Sequence, residues 1–116
     1  MSEFVTYLSE VFEHFGAIQT KRMFGGYGVY RDDLMFGLVA NDVLYLKADA
    51  ESSGKFEELG LLPFEYVKNG KKMNMSYFQA PGEIFDDLDE AKVWADRAFQ
   101  AALRSKIPKK KSRKAK

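Results

Sequence analysis

The most informative part of the sequence is residues 22–49, RMFGGYGVYRDDLMFGLVANDVLYLKAD. Three segments in it are rich in Val, Leu, Phe and Tyr, and polar pairs separate them at residues 32–33 and 41–42. Pairs of Asp or Asn between strand-like segments favour two-residue hairpin turns. The pattern therefore predicts an antiparallel meander of three strands. Those strands are 27–31, 34–40 and 43–48.

Helices and further strands are predicted on both sides of this meander. Apolar residues recur at helical spacing over residues 3–15 and 87–105, and Asp87 with Glu90 favours a capped start for the second of these helices. Asn69-Gly70 stands between two strand-like segments, which is a strong hairpin signal. The remaining predicted elements are a strand at 20–24, a short helix at 52–59 and hairpin strands at 63–68 and 71–78. The predicted fold class is α+β: a two-layer α/β sandwich in which an antiparallel sheet of about five to six strands carries the N-terminal and C-terminal helices on one face.

The register of these strands predicts which side chains share a face of the sheet, because directly opposed residues lie on the same side. With regular alternation, Gly28 faces Gly37, and one face of the meander carries Tyr30, Met35, Val39, Leu44 and Leu46. The other face carries Tyr27, Val29, Phe36, Leu38, Val43 and Tyr45. In the hairpin, the side chains that share an apolar face are Leu62, Phe64, Tyr66, Met73, Met75 and Tyr77. We expect that apolar face to lie under the helices.

Neither face of the meander is polar, and the helices of so short a chain cover one face well but hardly two. Either the sheet curls on itself or a partner covers the second face. We therefore predict a partner-binding face, for another protein or for a second copy of the chain in a homodimer. Its candidate residues are Tyr27, Val29, Phe36, Leu38 and Tyr45.

Charge is divided unevenly along the chain. Residues 104–116 hold eight Lys or Arg and no acid, whereas residues 1–103 hold ten basic and seventeen acidic residues. A basic end on an acidic body favours an anionic partner and predicts non-specific nucleic-acid contact, with a purely solubilising tail as the alternative. The candidate phosphate contacts are Lys21, Arg22, Lys68, Lys71, Lys72, Lys109, Lys110, Lys111, Arg113 and Lys114. We predict a domain over residues 1–105 and a disordered basic tail over residues 106–116.

Residue types that often carry catalysis or bind metal have structural interpretations in this sequence. There is no cysteine, and His14 is the single histidine. The Gly25-Gly26-Tyr27-Gly28 run leads into a strand and lacks the Lys-Ser/Thr of a phosphate-binding loop, so it predicts a bend or bulge. An acidic cluster stands at a predicted helix N-terminus, where the helix dipole favours negative charge: Asp86, Asp87, Asp89 and Glu90. The sequence predicts no catalytic residue, no metal and no cofactor.

Composition also bears on the location of the protein. No apolar run approaches the length of about 20 residues that a membrane-spanning helix needs. The first residues lack the basic and apolar segments of a signal peptide. Together with the absence of cysteine, this predicts a cytoplasmic protein with no membrane partner.

The strand motifs resemble a known family. Residues 22–30, 35–39 and 42–49, together with Met75-Ser76-Tyr77, Pro81 and the helix around Trp94, are similar to the N-terminal domain of TfoX/Sxy, the bacterial competence regulators. The resemblance covers residues 3 to about 105. It implies a two-layer α/β fold with an antiparallel sheet, and positive regulation of DNA-uptake genes in concert with the cyclic-AMP receptor protein at promoters. The family has no established enzymatic site, and its full-length members continue into a C-terminal helical domain where this sequence has its lysine-rich stretch.

Two functions are predicted from these observations. The first is a non-enzymatic TfoX-like regulatory binding module, which contacts a transcription partner through the sheet while the tail adds affinity for phosphate. The second is a protein-interaction adaptor or chaperone-like homodimer that does not bind nucleic acid.

Overall fold

One six-stranded antiparallel sheet and three α-helices make up the structure, a computed structural model that describes residues 3–23 and 25–106, with the backbone alone at residues 66–68 and 72–75. The strands are β1 (Gln19–Met23), β2 (Gly26–Arg31), β3 (Leu34–Ala40), β4 (Val43–Lys47), β5 (Pro63–Lys68) and β6 (Lys71–Gln79). The helices are α1 (Glu3–Val11), α2 (Ser53–Glu58) and α3 (Leu88–Lys106), with a short 3-10 helix at Gly82–Phe85. The strand order is β1-β2-β3-β4-β6-β5, so the hairpin of β5 and β6 joins the meander through β6. The predicted α+β fold class is confirmed.

The hairpin turns form where the polar pairs stand. Asp32 and Asp33 have φ of 52° and 65°, and Asn41 and Asp42 have φ of 53° and 60°. Two successive residues in the left-handed region give the turn whose twist matches a two-residue hairpin, and Asp and Asn tolerate this region better than most residues. The turn at residues 69–70 has the same conformation. The three predicted hairpins are confirmed.

A β-bulge changes the predicted register between β2 and β3. Tyr30 pairs with Met35 as predicted, but Val29 pairs with Gly37, which leaves Phe36 as an extra residue on β3. Beyond the bulge Gly28 lies opposite Leu38, so the predicted pairing of Gly28 with Gly37 is wrong. Because side chains alternate along a strand, one inserted residue moves the rest of β2 to the other face relative to β3.

The helices pack on one face of the sheet, which we call the covered face. Its central side chains are Val29, Phe36, Val39, Leu44, Leu46 and Phe78, and all belong to the hydrophobic core. Phe36 is fully buried, and its ring centroid lies 5.7 Å from that of Phe12 and 5.1 Å from that of Phe15. On the helical side, Val5 and Leu8 of α1 and the alanine-rich stripe of α3 complete the core. Burial of each large apolar side chain stabilises the fold by about 1.5–3 kcal/mol.

The ends of the helices are fixed by local contacts. The Asp87 carboxylate accepts hydrogen bonds from the backbone N–H groups of Asp89 (2.9 Å) and Glu90 (3.2 Å), which confirms the predicted cap of α3. Helix α1 ends at Val11, before the predicted residue 15, and Phe12 and Phe15 reach the core from the turns that follow it. Near the other end of α3, Arg104 donates to the Asp49 carboxylate at 2.6 and 3.0 Å and so ties the helix to the segment after β4.

Candidate binding face

The opposite side of the sheet, which we call the open face, carries no helix in the described part of the chain. Strand pairing assigns its side chains: Gly28 is opposite Leu38, Leu38 is opposite Tyr45, and Tyr45 is opposite Gln79. Leu38 and Tyr77 are 4% and 7% exposed, yet both lie outside the hydrophobic core cluster. Some side chains of the open face are therefore buried by their neighbours on that face and not by the hydrophobic core.

An apolar patch, which we define as Leu38, Tyr45 and Phe64, occupies the half of the open face toward β5. The rings of Tyr45 and Phe64 meet edge to face, with centroids 4.9 Å apart, and both residues are half-buried. Two of the most exposed apolar side chains in the described residues, Leu59 (52%) and Leu62 (66%), stand just before β5. Aromatic and aliphatic side chains grouped at a surface are typical of protein contact sites.

A second group of four residues, which we call the tyrosine–lysine row, crosses the open face. The Nζ of Lys21 lies 4.8 Å from the ring centroid of Tyr30, and the Nζ of Lys47 lies 5.3 Å from that of Tyr77. Both are cation–π distances. Lys47 also donates a 2.7 Å hydrogen bond to the Ser76 hydroxyl. The row thus places two ammonium groups on two tyrosine rings.

Burial and a neighbouring phenol both affect the ionisation of Tyr77. Burial raises the pKa of the Tyr77 hydroxyl to about 12, and the nearby Tyr30 phenol adds to the rise because two neighbouring phenolates would repel. The Tyr77 phenol is therefore neutral throughout the physiological pH range. No negative charge forms at the centre of the row.

Gly28 allows the row to lie close to the sheet. A Cβ at this position would stand 2.7 Å from the Met23 sulfur, 2.9 Å from a ring carbon of Tyr30 and 3.2 Å from the Met35 sulfur. The space beside Gly28 is thus filled by the Tyr30 ring and the sulfurs of Met23 and Met35, and contacts between a thioether sulfur and an aromatic ring are favourable. The Tyr30 ring packs directly over the backbone of β2.

The charges on the open face have one sign. The open-face strand positions whose side chains are described are Gln19, Lys21, Met23, Gly28, Tyr30, Met35, Leu38, Ala40, Val43, Tyr45, Lys47, Phe64, Lys71, Tyr77 and Gln79. Three of these residues are cations and none is an acid, although the sequence holds seventeen Asp and Glu residues. This face is therefore the cationic side of an acidic domain.

The five predicted partner-binding residues do not share one face. Val29 and Phe36 are buried in the core under the helices, and Tyr27 packs against that core. Only Leu38 and Tyr45 lie on the open face. The predicted grouping is wrong because regular alternation was assumed through β3, where the bulge at Phe36 intervenes.

The predicted side of the hairpin is also wrong. Phe64 contacts Tyr45, and Tyr77 pairs with Lys47, so both lie on the open face and not under the helices. Phe78 is the residue of β6 that reaches the core, where its ring stacks on Phe56 at 5.3 Å. The apolar side of the hairpin therefore extends the open face of the meander.

The predicted phosphate contacts are dispersed. Lys21 belongs to the tyrosine–lysine row, while Arg22 lies opposite Tyr27 and lines a shallow depression at the β1–β2 turn. Lys71 is exposed at the hairpin tip, and the backbone pairs it with Lys68 as predicted. The side chains of Lys68 and Lys72 lie outside the described residues. So do the tail positions, which are Lys109, Lys110, Lys111, Arg113 and Lys114.

The other candidates for chemistry have structural partners. The Nδ1 of His14 lies 3.0 Å from an oxygen of Asp89, and both side chains are solvent-exposed. A hydrogen bond to Glu83 raises the pKa of the exposed Glu90 carboxyl. Across residues 3–23 and 25–106, no three His, Asp or Glu side chains lie close enough together to hold a metal ion. Among the helices of the same segments, none combines the length and the hydropathy that a bilayer crossing requires.

Sequence reasoning missed Lys47 and the role of Tyr77. Alternation within β4 does place Lys47 on the same face as Tyr45, and that signal was available. The pairing of Lys47 with Tyr77 was not, because β4 and β6 are joined through α2 and β5 and no turn fixes their register. The ion pair of Asp49 with Arg104 was missed for the same reason, since the two residues are distant in the chain.

Comparison with known proteins agrees with the fold and the strand motifs. Residues 10–102 match the TfoX N-terminal domain, and the chain belongs to this family. It is similar to the DNA transformation protein TfoX1 of Aliivibrio fischeri, with 35% identity over 86 residues. That alignment covers 71% of this chain but 41% of TfoX1, so the chain spans less than half the length of this relative. The predicted family resemblance is confirmed.

Proposed function

We propose that this chain is a non-enzymatic regulatory binding module, which acts in competence control by contacting a protein of the transcription machinery. Membership of the TfoX N-terminal domain family supports the regulatory role, and the similar protein from Aliivibrio fischeri is named for DNA transformation. The cyclic-AMP receptor protein is the partner to test first. Phosphate contacts from the basic residues of the open face and of residues 106–116 add affinity for nucleic acid at the promoter.

The observation that carries this proposal is the apolar patch on the open face. Leu38, Tyr45 and Phe64 lie on a sheet face that no described helix covers, and the exposed Leu62 comes two residues before Phe64 in the chain. Binding hot spots are typically aromatic residues surrounded by contacts that exclude water. The half-buried Tyr45–Phe64 pair fits that description, because it is already ordered and loses little conformational freedom when a partner docks.

Biolayer interferometry tests the proposal directly. The full chain is immobilised and titrated with purified cyclic-AMP receptor protein in the presence of cyclic AMP, and then with RNA polymerase. We expect Tyr45→Ala and Phe64→Ala to weaken binding at least about tenfold, because each removes a central aromatic contact. Val93→Ala removes an exposed apolar side chain from α3 and should leave binding unchanged.

Two results would contradict the proposal. One is the absence of binding to both proteins at micromolar concentration. The other is a stable homodimer in sedimentation experiments that Tyr45→Ala dissociates, because a second copy of the chain would then occupy the patch. In that case the protein is an adaptor or chaperone-like homodimer.

A further inference from the structure

We propose that the tyrosine–lysine row is a site for single-stranded nucleic acid, in which Tyr30 stacks on a base while Lys21 and Lys47 contact the flanking phosphates. This inference deepens the phosphate-binding part of the proposed function and specifies the form of the nucleic acid. It concerns Lys21, Tyr30, Lys47 and Tyr77, which are distinct from the apolar patch. The protein partner is thus assigned to the apolar patch and the single-stranded nucleic acid to the tyrosine–lysine row, on the same face of the sheet.

The first support is the position of the Tyr30 ring. It packs over the backbone of Gly28 between the sulfurs of Met23 and Met35, so one side of the ring is held by the sheet. The ammonium group of Lys21 lies 4.8 Å from the centroid of the same ring. A half-buried aromatic ring on a sheet surface, with a cation beside it, is the usual platform for an unpaired base.

The second support is the weak hold of Lys21 on the Tyr30 ring. A cation–π contact at an exposed site contributes about 0.5–1 kcal/mol, whereas stacking of a base on an aromatic ring contributes about 1–3 kcal/mol. A base can therefore displace Lys21 from Tyr30. The ammonium group then remains beside the base, where the phosphate of a bound strand lies.

The third support is the charge of the surroundings. The described strand positions of the open face include three lysines and no carboxylate, within a domain whose first 103 residues hold an excess of acids. A carboxylate next to a phosphate would oppose binding, and none of these positions supplies one.

The geometry favours a single strand over a duplex. The bases of a duplex are stacked on one another and are not free to stack on a ring that lies on a sheet. Contacts of a basic tail with phosphate, by contrast, do not depend on exposed bases. A preference for single-stranded over duplex nucleic acid therefore distinguishes binding by the tyrosine–lysine row from phosphate contacts made by residues 106–116.

Fluorescence anisotropy of the full chain with labelled oligo(dT) of about fifteen nucleotides, and with a duplex of the same length, tests the inference at about 50 mM salt. We expect tighter binding of the single strand. Tyr30→Leu keeps an apolar side chain but removes the ring, and should weaken binding of oligo(dT) about tenfold. Tyr30→Phe keeps the ring and should stay within about twofold of the natural chain.

The lysines are tested through the salt dependence of the same binding. Lys21→Gln and Lys47→Gln should each lower the slope of log K against log salt by about 0.7, the value for one phosphate of a single strand. Lys92→Gln is the matched control, because Lys92 is an exposed lysine on α3 and should not change the slope. Thermal unfolding of each variant reports whether the fold is retained.

Three results would overturn the inference. They are the absence of oligo(dT) binding at low salt, equal affinity for strand and duplex with no effect of Tyr30→Leu, and lysine variants that behave like Lys92→Gln. Titration of the same variants with the cyclic-AMP receptor protein keeps the two proposals apart. If Tyr30→Leu abolishes receptor binding and leaves oligo(dT) binding unchanged, the row is a protein contact, and this inference fails while the proposed function stands.

Discussion

The two faces of the sheet are built from the same strands but from different kinds of side chain. The central positions of the covered face hold Val, Leu and Phe, which have no polar atom to satisfy. The open face also holds Tyr, Lys and Met, whose apolar bodies pack on the sheet while the ammonium groups of Lys21 and Lys47 lie over tyrosine rings. The covered face is thus distinguished by buried side chains that carry no polar group. The open face, which is available for binding, is distinguished by partly buried side chains that do carry a polar group.

The bulge at Phe36 makes this division possible. It places Val29 and Phe36 together on the covered face while Tyr30 and Met35 remain together on the open face. Without the extra residue, Val29 would pair with Phe36 instead of Gly37, and Tyr27 would pair with Leu38. One residue thus decides which side of β3 faces the helices.

The largest expected difference between the faces is in stability. Phe36→Ala should lower the free energy of unfolding by about 3–4 kcal/mol, because the Phe36 ring is fully buried between Phe12 and Phe15 and its removal leaves a cavity. Tyr45→Ala on the open face should cost about 1 kcal/mol. Urea denaturation followed by circular dichroism measures both. Equal losses would contradict the distinction between a covered and an open face.

Glycine substitutions separate backbone contacts from side-chain contacts. A Cβ at Gly26 would overlap the carbonyl of Val39, so Gly26→Ala should cost about 2 kcal/mol or more. A Cβ at Gly28 meets only side chains of the open face, which are able to shift, and Gly28→Ala should cost about 1 kcal/mol or less. Thermal unfolding of the two variants compares them. A larger loss for Gly28→Ala would show that the row is packed as rigidly as the core.

The attachment of the helical layer to the sheet depends on pH. The Arg104 guanidinium holds the pKa of the Asp49 carboxyl at about 2, below the ordinary value of 3.8. The ionised form is therefore favoured by folding, so its stabilisation is present above pH 3.8 and is lost as the pH falls from 3.8 to 2. Because Asp49 is partly exposed, we expect this contribution to be about 1–2 kcal/mol.

Asp49→Asn tests this linkage. The variant should be less stable near neutral pH and should lose less stability than the natural chain between pH 4 and pH 2. Asp86→Asn, at an exposed carboxylate, is the control and should leave the acid limb of the stability curve as it is. Parallel curves for Asp49→Asn and the natural chain would rule out this role of the ion pair.

The smallest expected effect is at the turn between β2 and β3. Asp33 has a φ of 65°, a conformation that glycine adopts without strain. Asp33→Gly creates an Asp-Gly turn and should raise stability by about 0.5 kcal/mol, seen as a small increase in Tm. A decrease in Tm would contradict this account, because it would show that the Asp33 side chain stabilises the turn by more than its backbone conformation costs.

Much of the fold was predictable because its hairpins are local. Asp32-Asp33, Asn41-Asp42 and Asn69-Gly70 fixed three strand pairings through turn chemistry alone. The bulge was missed although Gly37, a glycine inside a strand, is a known signal for one. The orientation of the hairpin was not predictable, because it depends on the register of β4 with β6, which no turn connects. The sequence therefore predicted that one face of the sheet would be open to a partner, but it did not predict correctly which residues lie on that face.

The central claim is that the open face, and not the helical layer, is the binding surface of this domain. Titration of the 15N-labelled chain with cyclic-AMP receptor protein, followed by NMR amide signals, tests it most directly. We expect signal loss centred on Leu38, Tyr45 and Gln79, with the outer surface of α3 unaffected. Changes centred on residues 92–100 of α3, or no change on the sheet, would contradict the claim.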